Sequence, residues 1–83
     1  MRPGPVIARG TALDRSRLQS VGGRVSELRQ ARGLSVAALA EQLEVPLACV
    51  RALEGGRLDP SIALLWRFAE VVDTSLSELL SDL

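Results

Sequence analysis

Apolar residues recur along this chain at helical spacing, in short separate blocks. Val36, Leu39, Ala40 and Leu43 fall at i, i+3, i+4 and i+7, which places them on one face of a helix. Ser35 stands just ahead of them, and its hydroxyl can accept from the unpaired N–H groups of a first turn. The period starts afresh with Leu47, Val50 and Leu53 or Glu54. Pro46 precedes this second block, where a missing N–H is no loss and a fixed φ suits the start of a helix. Only Glu44 and Val45 are left to connect the two. Helices joined so tightly cross steeply instead of lying side by side, with small Ala40 permitting close approach and Val45 and Val50 filling the corner.

The flanking patterns complete the picture. Val21, Val25, Leu28 and Arg32 mark a preceding helix, which Gly33 ends as a left-handed cap. Gly55 and Gly56 close the second block, and residues 57–60 form a loop. Ser61 then opens a longer helix whose expected buried face holds Ile62, Leu65, Phe68, Ala69 and Val72. Asp73 and Thr74 break it, and the capping box Ser75-x-x-Glu78 starts a last short helix with Leu76, Leu79, Leu80 and Leu83. The prediction is an all-α fold of five helices over residues 19–83. Residues 1–18 contain Pro3, Gly4, Pro5, Gly10 and four Arg with little periodicity. They read as a mobile N-terminal arm, with Thr11-x-x-Asp14 as a place where a turn of helix can begin.

Composition narrows the function classes. Eighty-three residues make one small domain, in which buried apolar area only just outweighs chain entropy. With 47% hydrophobic residues but one Trp, one Phe and no Tyr, the core is aliphatic. A single Cys excludes an intramolecular disulfide. No apolar run approaches the ~20 residues of a membrane span, and the opening MRPGPVIARG lacks a signal peptide's apolar region. The expectation is a cytoplasmic protein with no membrane contact. Catalysis is disfavoured by the inventory: no His, Lys or Tyr is present, and Cys49 has no His to activate it. One Cys and scattered acids provide no metal set, and nothing calls for a cofactor.

Net charge is zero, yet its distribution is lopsided. Residues 1–33 hold seven Arg against Asp14 and Glu27, net +5, while residues 34–83 hold three Arg against eight acids, net −5. Such asymmetry points to polyanion contact at one end, unless solvated charges simply happen to segregate.

The stretch VGGRVSELRQARGLSVAALAEQLEVPLACVRALEGGRLDPSIALLWRFAEVVDTSLSELL, residues 21–80, resembles the Cro/cI-type (XRE) helix-turn-helix domain of bacterial and phage regulators. The landmarks are Leu28-Arg29, Arg32-Gly33-Leu34-Ser35, Leu39-Ala40, Leu43, Val45, Val50, Leu53-Glu54, Gly56, Pro60-Ser61, Leu65, Ala69, Ser75-Leu76 and Glu78-Leu79-Leu80. The resemblance implies a lambda-repressor-like fold that binds operator DNA as a dimer, with its third helix in the major groove. It further implies a structural ion pair between Arg29 and Glu54, a phosphate donor at Arg57, and phosphate facing the helix start at Ser35 and Val36.

The base-reading positions depart from the family pattern. Val36 stands where many relatives carry Gln, and the outward face of the third helix holds Leu47, Ala48, Cys49, Arg51 and Ala52 after Pro46. Of these only Arg51 can make a bidentate contact to guanine, while Leu47, Ala48 and Ala52 suit thymine methyls. Glu44 replaces a customary Gly and places a negative charge near the groove. Two readings follow. In one, double-stranded DNA is held by phosphate contacts, the Arg-rich arm, DNA shape and Arg51. In the other, Val36, Leu47, Ala48 and Cys49 form an apolar patch for a protein partner, with weak or no sequence-specific DNA binding. Trp66 lies about 100° off the buried stripe of its helix. With Leu64, Leu76, Leu80 and Leu83 it extends an apolar surface that predicts a homodimer through the fourth and fifth helices.

Overall fold

In the computed structural model, which describes residues 14–81, five helices and no strand are present among the described residues. They are α1 (Arg15–Ala31), α2 (Val36–Leu43), α3 (Leu47–Glu54), α4 (Ile62–Val71) and α5 (Leu76–Leu79). Four start on a side-chain cap or a proline that the sequence marks. The Ser35, Ser61 and Ser75 hydroxyls accept from the N–H groups of Ala38, Leu64 and Glu78 at 2.9, 3.0 and 2.9 Å, and Pro46 stands at the head of α3. Gly33 ends the turn after α1 at φ 70°, a left-handed conformation that suits a residue without Cβ.

The first helix differs from expectation. It begins at Arg15, not near Val21, because the Asp14 carboxylate caps it by accepting from the Arg17 N–H at 2.9 Å. Arg15, Ser16, Arg17 and Leu18, read from the sequence as part of the arm, are therefore helical. Residues 1–13 of that arm lie outside the described residues.

Within α1, Gly22 lies against the end of α3, where a methyl group would collide with the Leu53 carbonyl oxygen and stand 2.7 Å from that of Glu54. Glycine here is a requirement of close approach, not of backbone conformation. Val21, Val25, Leu39, Leu43, Val50, Leu53, Leu65, Phe68, Val72 and Leu79 fill the core, with α1 and α2 both packed on α3, and α4 resting on α2 and α5. Ile62 departs from its predicted buried position and is 61% exposed. It heads α4, whose stripe of Leu65, Phe68, Ala69 and Val72 is buried without it.

Arginines tie the helices together at their C-terminal ends, where carbonyls lack intrahelical partners. Arg24 donates to the Glu78 carbonyl at 3.0 Å, Arg32 to that of Val72 at 2.7 Å, and Arg67 to that of Leu43 at 2.8 Å. Two of these sites share one design. Glu44 (φ 61°) and Asp73 (φ 57°) are the non-glycine residues with positive φ among the described residues, and each follows the carbonyl that an arginine takes. The same guanidinium then reaches the acid, Arg67 to Glu44 at 3.9 Å and Arg32 to Asp73 at 3.6 Å. A left-handed non-glycine residue costs about 1–2 kcal/mol, and the added carbonyl bond offsets part of it. Arg24 and Arg32 thus act inside the fold, so part of the basic bias of residues 1–33 has a structural use.

Candidate nucleic-acid interface

The α2–α3 corner is built from the turn outward. Val45 donates its N–H to the Ala40 carbonyl at 3.1 Å, closing the left-handed turn at Glu44 and directing the chain into Pro46. From there α3 divides lengthwise. Val50 and Leu53 are fully buried, whereas Leu47, Ala48 and Arg51 are exposed and Cys49 and Ala52 are half-buried.

The buried edge of α3 is fastened by an ion pair. Arg29 Nε donates to Glu54 Oε2 at 2.7 Å and Nη2 to Oε1 at 3.2 Å, a two-pronged geometry suited to guanidinium and carboxylate. A third donor, Nη1, reaches the Leu34 carbonyl at 2.9 Å, so Arg29 joins α1, the loop before α2, and the end of α3. Both side chains are only 13% exposed.

This pair governs its exposed neighbour. On a helix, a residue three positions after an arginine is well placed to pair with it. Here that residue is Glu54, and Arg29 occupies both its oxygens. Arg51 is exposed, with no hydrogen bond or ion pair among the described residues. Arg57 is also exposed and unpaired in the loop after α3, its guanidinium lying over Gly55.

The remaining predicted residues fall in three places. Ser35 is exposed at the start of α2, while Val36 is half-buried and packs against the core instead of joining the outward face of α3. Trp66 is 56% exposed, and Leu76 and Leu80 are half-buried beside it on the α4–α5 side. Leu83 lies outside the described residues. Trp66 and Leu76 border an open groove of about 330 Å³ with Ala69, Glu70, Thr74 and Ser75. The sequence reading missed Ile62 as part of this surface, although its position four residues before Trp66 aligns the two on one helical face. It also missed Arg67, whose partners are 24 and 23 residues away and leave no local trace. Among the described residues no group of three or more His, Cys, Asp or Glu could hold a metal ion, and no helix is long and apolar enough to cross a membrane.

A profile described as a helix-turn-helix domain matches residues 20–81. The chain belongs to the Cro/cI-type helix-turn-helix family. No curated protein matches it significantly. Among solved structures it is similar to the restriction-modification controller protein C.AhdI from Aeromonas hydrophila, at 31% identity and TM-score 0.74 over 77% of this chain and 97% of that one. It is also similar to the clp gene regulator ClgR from Corynebacterium glutamicum, at 25% identity and TM-score 0.75 over 78% and 69% of the two chains. The biofilm master regulator SinR, solved in complex with DNA, matches at 31% identity and TM-score 0.67 over 72% and 97%. As a helix-turn-helix protein of this class, the chain has the fold of DNA-binding transcriptional regulators.

Proposed function

We propose that this protein regulates transcription by binding operator DNA as a homodimer, with α3 in the major groove. The observation that carries the reading is Arg51, exposed on α3 and without a partner among the described residues, while Arg29 holds Glu54, the acid three residues on. An arginine so presented suits the bidentate contact to guanine N7 and O6. Arg57 and the N–H groups beside Ser35 are the phosphate contacts, with the helix dipole of α2 assisting. The SinR relative, crystallised with DNA, supports the class of ligand. Trp66, Ile62, Leu76 and Leu80 are the surface through which two copies associate.

Selection of bound sequences from random duplexes tests the reading, and an enriched two-fold symmetric site is the expected result. Affinity should fall steeply between low and moderate salt as counterions are released. No duplex binding at low salt would sink it. Sedimentation should show a dimer that Trp66→Ala dissociates without unfolding, and a monomer at high concentration would remove the dimer from the proposal. The second reading, in which Leu47, Ala48 and Cys49 dock a protein, draws on the 38% exposure of Leu47. Such an apolar contact is nearly indifferent to salt, which separates it from the first.

A further inference from the structure

The outward face of α3 is apolar around one cation. Leu47 is exposed four residues before Arg51, and Ala48 is exposed three before it. Residues so spaced have Cβ atoms about 5–6 Å apart, and stacked base pairs lie about 3.4 Å apart. Where α3 runs along the groove with Arg51 on one base pair, Leu47 and Ala48 therefore fall on the next one or two. Neither side chain has a donor or acceptor, so neither can read a base by hydrogen bonding. What the major groove offers an apolar side chain is a methyl group at C5 of a pyrimidine.

We infer that α3 recognises a C5-methylated pyrimidine beside a guanine, Arg51 taking the guanine while Leu47 and Ala48 cover the methyl. The inference rests on the DNA-binding reading above and names the feature its base-reading face selects. Two sources carry that methyl: thymine, and cytosine methylated at C5. The same face binds either, since the shared methyl is what it touches. It makes the protein responsive to DNA methylation wherever its site contains cytosine at that position.

Three packing facts keep this face in place. Gly22 lets α1 press on the last turn of α3, the Arg29–Glu54 pair fastens its end, and Val50 and Leu53 are wholly buried beneath it. The side chains that meet DNA are thus presented by a helix fixed on its other side, as specific contacts require.

The test uses the full chain and the duplex recovered by selection, with affinity read by fluorescence anisotropy. Each thymine within two base pairs of a guanine is replaced by uracil, which removes only the methyl. Each cytosine so placed is compared with 5-methylcytosine. A buried methyl is expected to change affinity about fourfold. Loss on thymine-to-uracil exchange, or gain on cytosine methylation, supports the inference and identifies which source is read. Equal binding in both pairs overturns it while leaving the DNA-binding reading intact. Failure of every duplex to bind overturns both. Leu47→Ser with Ala48→Ser should bring the methylated and unmethylated duplexes to equal affinity, whatever that affinity is, with thermal melting confirming the fold; a methyl effect that persists in this variant also overturns the inference.

Discussion

The two faces of α3 are eight residues of one helix made on opposite principles. Inward, Val50 and Leu53 are fully buried and Glu54 is locked by two bonds from Arg29. Outward, Ala48 and Arg51 are exposed, Leu47 is 38% exposed, and Arg51 has no partner among the described residues. The inner face is concerned with where the helix sits, and the outer face with what it meets. Their connection is that Arg29, by taking Glu54, leaves Arg51 available. A residue of the scaffold thereby sets the chemistry of the exposed surface without touching it.

Substitutions can break this division, beginning with those that act on the inner face. Leu53→Ala empties part of the core and should cost about 2–5 kcal/mol, seen as a large fall in unfolding midpoint in denaturant. Gly22→Ala should cost about 3 kcal/mol, at the upper end for overpacking, because its methyl meets backbone carbonyls that cannot rotate away. A stable Gly22→Ala variant would show that α1 and α3 have freedom to separate. Glu54→Gln leaves Arg29 half-paired in a site only 13% exposed, and a loss of about 2 kcal/mol is expected for a charge stripped of its partner.

On the outer face the expectation reverses. Arg51→Ala should leave stability within about 0.5 kcal/mol while weakening duplex binding by about 1–3 kcal/mol. An unfolding curve and a binding isotherm on the same sample decide it, and a variant that melted early would show the two faces to be coupled. The smallest effect belongs to the turn that leads into α3. Glu44→Gly should raise stability by about 0.5 kcal/mol, since glycine accepts the left-handed conformation without strain and the Arg67 contact it loses is exposed and 3.9 Å long.

These two faces were not equally legible in the sequence. Helix starts at Ser35, Pro46, Ser61 and Ser75 are local chemistry, so the fold can be read residue by residue. The start of α1 was obscured by Gly22-Gly23, poor helix formers, and by a polar run in which only Leu18 is apolar before Val21. Ile62 fits the stripe of α4 by spacing alone, but spacing does not tell whether a neighbour reaches the first turn. The arginine bias was the least transparent feature. Arg24, Arg32 and Arg67 meet carbonyls 54, 40 and 24 residues away, and a backbone acceptor has no sequence signature. At the candidate interface the residue types of α3 are plain from the sequence, whereas the availability of Arg51 is visible only once Glu54 is seen to be occupied.

The arginine clasps also bear on how long the native state lasts. Each closes a loop of at least 24 residues and bonds to a carbonyl that is presented only once its helix has formed. Contacts of that kind are expected to form after the folding barrier, and interactions absent from the transition state act on the unfolding rate more than on the folding rate. The clasps are therefore expected to act as latches: removing one by Arg32→Ala should speed unfolding more than it slows refolding, as stopped-flow kinetics would show.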